Sequence, residues 1–179
     1  MGIEEQAARV RLVLMDVDGV LTDGKFLMLP GPNGTIFETK GFDSQDGIAL
    51  QWLHRKGIPA GLISGRNSPA VEERARQCHF KYVYQGDTEK IPILEEILAK
   101  AGLSGDEVAY IGDDLTDVVV FRRVGLAIAT ANARPEVKRY AHFVTQSEGG
   151  KGAVRDAIEF ILKAQGHWAD ILRKYEAEM

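Results

Sequence analysis

The sequence has little of several features that would assign it to a special class of protein. It contains one cysteine, Cys78, among 179 residues, so no disulfide can form within the chain and a reducing cytoplasm is the expected compartment. No run reaches the roughly 18 consecutive apolar residues of a membrane span, and residues 1–11 lack the apolar segment of a signal peptide. Positive charge is not in excess: the formal net charge is -4, which argues against a nucleic-acid-binding surface. A soluble cytoplasmic protein with no nucleic-acid or membrane partner is expected.

The pattern of apolar residues predicts an α/β fold. Short apolar runs alternate with longer amphipathic ones, which is typical of a three-layer, Rossmann-like parallel sheet flanked by helices. Strands are predicted over 12–17, 60–63, 82–84, 108–111, 126–129 and 143–145, and helices over 48–57, from 68, over 91–102, over 118–124, near 135 and over 153–164. The length fits a single domain over residues 1–179 and leaves no room for a separate cap domain.

Two segments lie outside this alternation. Residues 25–29 and 36–40 flank the turn-rich Pro30-Gly31-Pro32-Asn33-Gly34, which predicts a β-hairpin insertion over 25–40. Residues 165–179 form a charged C-terminal tail, for which both a helix and an arm onto a neighbouring chain remain open.

Acidic side chains follow two of the predicted strands. Asp16-Val17-Asp18-Gly19 ends the first strand, and Gly112-Asp113-Asp114-Leu115-Thr116-Asp117 follows the strand over 108–111. Two strands that both end in paired carboxylates should lie side by side, so their acids should converge at the edge where open α/β sheets bind ligands. Each carboxylate pair at 4 Å costs about 4 kcal/mol at a dielectric constant near 20, so the cluster needs a hard cation, and Mg²⁺ suits oxygen ligands.

A calcium loop is the alternative for the first acidic motif. An EF-hand loop that begins at Asp16 would need Asp or Asn at its fifth position and Glu at its twelfth. Those positions hold Val20 and Leu27, and the motif follows a strand rather than a helix. The magnesium site is therefore favoured.

Two further pieces fit a phosphate site. Ser64-Gly65-Arg66 follows the second core strand and offers a hydroxyl and backbone N–H groups, and Lys90 precedes a helix and offers an ammonium group. Taken alone, Ser64 is better explained as a turn residue and Lys90 as a solvated side chain. Their order between the two acidic motifs favours phosphate binding.

In this order the motifs resemble those of the haloacid dehalogenase superfamily, over about residues 12–164. The resemblance implies a phosphatase in which Asp16 forms an aspartyl-phosphate and Asp18 acts first as general acid and then as general base. It also implies that Ser64 and Lys90 complete the catalytic set. The Mg²⁺ ligands that it implies are Asp16, Asp18 through its backbone carbonyl, Asp113 and Asp117.

Within the superfamily, longer stretches such as 16–24, 63–66 and 149–155 are similar to phosphatases of 3-deoxy-D-manno-octulosonate 8-phosphate, which implies a place in lipopolysaccharide biosynthesis. The substrate-binding residues implied are Thr22, Asp43, Ser44, Gln45, Asp46, Gly47, Gln51, Gly65, Arg66, Arg74 and Asp114. Gln45 and Gln51 stand where that family usually carries basic residues, so a phosphatase of another sugar acid, such as a nonulosonate 9-phosphate, stays open. An inactive scaffold is a third hypothesis, against which the intact set of acidic and basic motif residues argues.

The lack of a cap domain bears on assembly. An open site would admit water and select substrates poorly, and capless relatives are tetramers in which hairpins and tails of neighbours cover each site. The predicted hairpin is rich in apolar side chains, namely Phe26, Leu27, Met28, Leu29, Ile36 and Phe37. A homotetramer is therefore expected.

Overall fold

The computed structural model describes residues 2–177 and alternates strands with helices, as the sequence predicts. The strands are β1 (Leu12–Met15), β2 (Leu27–Pro30), β3 (Ile36–Thr39), β4 (Ala60–Ser64), β5 (Tyr82–Gln85), β6 (Val108–Gly112), β7 (Leu126–Ala129) and β8 (Phe143–Val144). The helices are α1 (Ile3–Ala8), α2 (Ser44–Arg55), α3 (Pro69–Gln77), α4 (Lys90–Ala101), α5 (Leu115–Phe121), α6 (Pro135–Lys138), α7 (Ala153–Ala164) and α8 (Trp168–Lys174). No helix within residues 2–177 combines the length and the apolar character needed to cross a membrane.

Six strands form one sheet in the order β5-β4-β1-β6-β7-β8, and every neighbouring pair is parallel. The chain runs outward from β1 through β4 to β5, then returns to the other side of β1 to continue through β6, β7 and β8. The strand order therefore reverses beside β1, and the crevice at such a reversal is where open parallel sheets bind ligands. The predicted adjacency of the two strands that precede the acidic motifs is confirmed, since Leu12 to Met15 pair with Val108 to Ile111.

The two faces of the sheet bury separate apolar clusters. Along β1, Val13 and Met15 pack with α1, α2 and α7, whereas Leu12 and Leu14 pack with α4 and α5 on the other face. All four side chains are fully buried. Burial on both faces explains why the central strands are uninterrupted apolar runs rather than alternating ones.

The predicted hairpin is present and stands apart from the main sheet. β2 and β3 pair antiparallel, with Leu27 opposite Thr39 and Pro30 opposite Ile36. Their connection contains Asn33 in the left-handed conformation (φ 59°), which asparagine tolerates better than most residues. Ile36 is 70% exposed and Leu27, Met28, Leu29 and Phe37 are each more than half exposed, so much of the apolar surface of the hairpin is uncovered within residues 2–177.

Three local predictions need correction. The strand predicted over 12–17 ends at Met15, so Asp16 and Asp18 lie on a loop and not on one face of a strand. α5 starts at Leu115 and not at 118, because the Asp114 side chain caps it by accepting from the Leu115 N–H at 2.7 Å. α1 was not predicted.

The tail forms a helix. α8 packs against α2, where the Trp52 and Trp168 rings lie 5.6 Å apart and the Trp52 indole N–H donates to the Tyr175 hydroxyl at 3.1 Å. The last two residues of the predicted tail, 178 and 179, lie outside the described residues.

Candidate active site

Three carboxylates converge at the carboxyl ends of β1 and β6. Asp16 follows β1, Asp113 follows β6, and Asp117 lies in the first turn of α5. Each of the three offers a carboxylate oxygen, and these oxygens lie within 4.8 Å of one another. The Asp16 N–H also donates to the Ile111 carbonyl at 3.0 Å, which extends the β1–β6 ladder up to Asp16.

Lys90 is the cation inside this cluster. Its ammonium group lies 2.6 Å from Asp117 Oδ1 and 3.3 Å from Asp16 Oδ2, and it also donates to the Tyr110 hydroxyl at 3.1 Å. The residue is 5% exposed. Burial acts to lower the pKa of Lys90, but Asp117 and Asp16 outweigh burial and hold this pKa above its ordinary value, so the side chain stays cationic.

Asp117 stabilises the cluster through hydrogen bonds to both of its carboxylate oxygens. Its Oδ1 accepts from Lys90 and, at 2.9 Å, from the Tyr110 hydroxyl, while its Oδ2 accepts the backbone N–H groups of Asp113 and Asp114 at 2.9 and 3.1 Å. Each oxygen thus already has two donors, the usual capacity of a carboxylate oxygen. Through these contacts Asp117 holds the acidic loop over Lys90. Its role as a metal ligand stays a prediction.

Negative charge exceeds positive charge in this cluster. Burial and the repulsion of Asp117 raise the pKa of Asp16 to about 6, although Lys90 lowers it. Burial, followed by Asp117 and Asp16, raises the pKa of Asp113 to about 7. Asp113 Oδ1 is buried and has no hydrogen-bond partner within residues 2–177. Crowded carboxylates with an unpartnered oxygen fit a divalent cation with oxygen ligands, so the donor set suits Mg²⁺.

The loop that carries Asp18 is fixed by backbone contacts. Gly19 has a positive φ of 88°, and a β-carbon there would overlap the Asp113 carboxylate, so glycine is required. Asn132 donates to the Gly19 carbonyl at 3.0 Å and accepts from the Gly149 N–H at 2.6 Å, and thereby ties this loop to the Gly149-Gly150 turn. Sequence reasoning missed Asn132, which lies in no recognisable motif.

The predicted phosphate loop lies on the other side of β1. Ser64 ends β4, is buried, and accepts the Arg66 N–H on its hydroxyl oxygen at 3.3 Å. Because β4 pairs with β1, the Ser64-Gly65-Arg66 turn and the Asp16 loop share one edge of the sheet. The Arg66 guanidinium points to the hairpin, where it donates to Glu38 at 3.0 Å.

A cavity of about 450 Å³ opens between the hairpin base, the start of α2 and the Gly149-Gly150 turn. Its lining residues are Asp23, Lys25, Leu27, Gly41, Phe42, Asp43, Ser44, Gly150 and Lys151. Of the predicted substrate-binding residues, only Asp43 and Ser44 line it. A larger cavity, of about 650 Å³, lies at the opposite edge of the sheet near Val10 and Pro59, away from the carboxylates.

Three predicted substrate-binding side chains are engaged within the chain. The Thr22 hydroxyl donates to the Val17 carbonyl at 3.4 Å and accepts the Gly24 N–H at 3.2 Å. Asp46 Oδ1 accepts the Arg155 N–H at 2.8 Å, and the Gln51 amide donates to the Gln77 carbonyl at 2.9 Å. Burial raises the pKa of Asp46 to about 7.

The others lie around the rim. Arg74 donates to the Asp43 carbonyl at 2.7 Å, and a β-carbon at Gly47 would lie 2.6 Å from the Arg74 guanidinium, so Gly47 gives this arginine room. The Gln45 and Asp114 side chains are exposed.

Sequence reasoning also missed Lys40 and Tyr110. Lys40 contacts Asp18 at 2.5 Å, and Tyr110 joins the Lys90–Asp117 pair. For Tyr110 a signal was present, since a tyrosine in the middle of a fully buried strand needs a hydrogen-bond partner.

The chain is similar to known phosphatases along most of its length. The model of the haloacid dehalogenase-like hydrolase family matches residues 77–158. The curated 3-deoxy-D-manno-octulosonate 8-phosphate phosphatase of Yersinia pestis is 40% identical over 161 residues, which cover 90% of this chain and 84% of that protein.

Solved structures with the same fold extend the likeness over nearly the whole chain. A probable YrbI family phosphatase of Pseudomonas syringae superposes with a TM-score of 0.92 at 38% identity, covering 99% of this chain and 98% of that one. The 3-deoxy-D-manno-octulosonate 8-phosphate phosphatase of Moraxella catarrhalis, solved with magnesium, phosphate and KDO, superposes with a TM-score of 0.90 at 36% identity, covering 97% of each chain.

Proposed function

The chain belongs to the family of 3-deoxy-D-manno-octulosonate 8-phosphate phosphatases, among the haloacid dehalogenase-like hydrolases, and we propose that it releases phosphate from that sugar-acid ester. The observation that supports this most directly is the meeting of Asp16, Asp113 and Lys90 at one edge of the sheet. A nucleophile, a metal-binding carboxylate and a buried cation are the parts that phosphoryl transfer needs. The reaction is a step of lipopolysaccharide biosynthesis, and we place it in the cytoplasm.

Asp16 is the proposed nucleophile. Its Oδ1 accepts the Val17 N–H at 2.8 Å and its Oδ2 faces Lys90, so the carboxylate is held from both sides. Attack on phosphorus forms an aspartyl-phosphate and breaks the bond to the sugar oxygen, which takes a proton from Asp18. Asp18 then removes a proton from water as the water oxygen attacks phosphorus, and Asp16 is released.

Lys90 and Ser64 are proposed to bind the phosphate oxygens from two sides. Lys90 is already oriented by Asp117 and Tyr110, so little reorganisation is needed when the phosphate enters. The Ser64 oxygen accepts from the Arg66 N–H, and its hydroxyl proton is still available for donation to a phosphate oxygen.

The cofactor is Mg²⁺, and Asp16 and Asp113 are the side chains best placed to hold it, together with the backbone of Asp18. When bound, the ion neutralises the carboxylates and polarises the phosphoryl group. Asp113 Oδ1, which is buried and has no hydrogen-bond partner within residues 2–177, is available to such an ion.

The substrate is an eight-carbon acid, so a site for its carboxylate is also needed. The cavity beside the Asp18 loop offers Lys25 and Lys151 at its wall, and these exposed ammonium groups are the proposed partners of the sugar acid. Gln45 offers an exposed neutral amide at the same rim, which keeps a nonulosonate 9-phosphate as the second candidate substrate.

We propose that the active form is a homotetramer in which hairpins and tails of neighbouring copies cover each site. The support is the exposed apolar surface of the hairpin, where Leu27, Leu29, Ile36 and Phe37 are each more than half exposed. Sedimentation equilibrium at micromolar concentration tests the assembly. A monomeric wild-type protein would contradict the proposal. The Ile36→Lys variant should sediment as smaller species than the wild type.

The function is tested by phosphate release with Mg²⁺ and with EDTA, from 3-deoxy-D-manno-octulosonate 8-phosphate beside a panel of other sugar phosphates. The octulosonate ester should lead in kcat/KM by orders of magnitude, and EDTA should abolish turnover. If another ester leads, the phosphatase chemistry holds and the substrate assignment fails. If no ester is hydrolysed in Mg²⁺, the chain is a scaffold.

A further inference from the structure

Lys40, the residue that follows β3, is a buried cation that the reaction described above does not use. Its side chain is 1% exposed, and its ammonium group lies 2.5 Å from Asp18 Oδ1 and 3.3 Å from Glu38 Oε1. The Phe26 ring covers the ammonium group, with its centroid at 4.8 Å. A buried lysine is costly unless it is paired, and here both of its acidic partners lie within ion-pair distance.

The same network reaches the phosphate loop. Glu38 also accepts from the Arg66 guanidinium at 3.0 Å. This guanidinium lies over the same Phe26 ring that covers Lys40, 4.1 Å from the ring centroid. The hairpin therefore holds Asp18 through Lys40 and the Ser64-Gly65-Arg66 turn through Glu38. It contributes polar contacts to the site of its own chain, the Lys40–Asp18 pair partly buried and the Glu38–Arg66 pair exposed, in addition to an apolar surface.

The chemistry of these contacts distinguishes the two oxygens of Asp18. A lysine ammonium group has three donors and no acceptor, so the oxygen that it contacts must act as an acceptor. Asp18 Oδ1 therefore faces the ammonium group as an acceptor, which leaves Oδ2, the oxygen outside this ion pair, as the one free to present a proton. We propose that Lys40 is a positioning residue that fixes Asp18 so that Oδ2 delivers the proton to the leaving oxygen. This inference rests on the proposed function, since it assigns an atom and a partner to its acid and base.

The proton balance is complete with the groups named. In the first step the bond between phosphorus and the sugar oxygen breaks, the bond to Asp16 forms, and the sugar oxygen takes the proton from Asp18 Oδ2. The new carboxylate is stabilised by Lys40, which keeps its own protons. In the second step a water oxygen bonds to phosphorus, Oδ2 takes one water proton, and the acyl bond to Asp16 breaks.

The test compares two leaving groups in the Lys40→Met variant. The alkoxide of 3-deoxy-D-manno-octulosonate 8-phosphate needs a proton to depart, whereas the aryloxide of 4-nitrophenyl phosphate leaves with little help from an acid. We expect kcat for the sugar ester to fall about 100-fold with KM nearly unchanged, because general acids contribute about this factor. With 4-nitrophenyl phosphate the loss, read from the initial burst of 4-nitrophenolate because the later hydrolysis of the acyl phosphate uses Asp18 for both esters, should stay below about fivefold. Lys81→Met, a lysine at the opposite edge of the sheet, is the matched control and should alter neither rate.

A second comparison separates positioning from folding. Lys40→Arg keeps a cation beside Asp18 and should recover a large part of the selectivity between the two esters, and the thermal midpoint of each variant reports its folding. In the Lys40→Met background, Asp18→Asn should cost far less than in the wild type, since coupled residues are not additive.

Three results would overturn the role of Lys40 while leaving the wild-type activity intact. They are equal losses for both esters, a loss confined to KM, and full additivity with Asp18→Asn. A wild type that hydrolyses no alkyl phosphate would overturn the proposed function, and this inference with it.

Discussion

The inner part of the site and its rim are built in different ways. In the inner cluster, Lys90, Tyr110 and Asp117 are buried and each is bonded to the other two. At the rim, Ser44 and Gln45 are exposed, and Arg74 is held through the Asp43 backbone carbonyl. The interior thus fixes the chemistry before any ligand arrives, whereas the rim leaves side chains free to meet a substrate. Changes in the cluster should therefore affect turnover and stability, and changes at the rim should affect selectivity.

The largest expected effect comes from the reactive carboxylate itself. Asp16→Asn should lower kcat by about 10⁴-fold or more, because it removes the carboxylate proposed to form the acyl phosphate. The fold should persist, since removing one of three crowded carboxylates relieves the repulsion that, after burial, raises the pKa of Asp16. Burst and steady-state phosphate release measure the loss, and far-ultraviolet circular dichroism checks the fold.

Asp106→Asn is the matched control for this variant. Asp106 is exposed in the turn before β6, at the opposite end of that strand from Asp113, and its substitution should leave kcat unchanged. Unchanged turnover in Asp16→Asn itself would show that the inner cluster is not the catalytic part of the molecule.

The second effect is on stability. Asp117→Asn removes the charge that faces Lys90 at 2.6 Å and weakens the support of the acidic loop, so the free energy of unfolding should fall by about 3 kcal/mol. Urea denaturation measures it. Glu73→Gln, which breaks an exposed pair with Arg76, is the contrasting variant and should barely move the midpoint. Equal shifts in the two variants would contradict the distinction between interior and surface.

A third prediction concerns the pH dependence of metal binding. With the pKa of Asp113 at about 7 and that of Asp16 at about 6, both carboxyl groups hold protons more tightly than free aspartates, and Mg²⁺ must displace those protons. The apparent affinity for Mg²⁺ should therefore fall as the pH falls, roughly twentyfold from about pH 8 to about pH 6. Calorimetric titration in two buffers of different ionisation enthalpy measures both the affinity and the protons released. An affinity that is flat over this range would contradict the crowding of the cluster.

The same difference between cluster and rim explains what could be predicted from the sequence. The acidic motifs end buried strands, so the position of Asp16 beside Asp113 follows from the pairing of β1 with β6. The partners of Lys40 and Asn132 depend on how the hairpin and the turns fold back over the sheet, which no local pattern encodes. The predicted contacts of Thr22, Asp46 and Gln51 with substrate stay untested, and the structure shows the bonds within the chain that compete with them.

The smallest expected effect is at the rim, where Gln45→Arg should sharpen selectivity without touching the chemistry. Gln45 lies in the first turn of α2 beside Ser44, and its side chain is exposed, so an arginine there can reach the cavity without displacing a buried group. A guanidinium binds a carboxylate with two hydrogen bonds, but at an exposed position this gain is only about 1 kcal/mol. KM for the octulosonate ester should therefore fall about fivefold with kcat unchanged, while KM for a neutral sugar phosphate stays constant. Gln51→Arg should lower KM less than Gln45→Arg does, because it removes the hydrogen bond that the Gln51 amide donates to the Gln77 carbonyl. If Gln45→Arg changed kcat instead of KM, the rim would be coupled to the cluster, and the separation of chemistry from recognition would not hold.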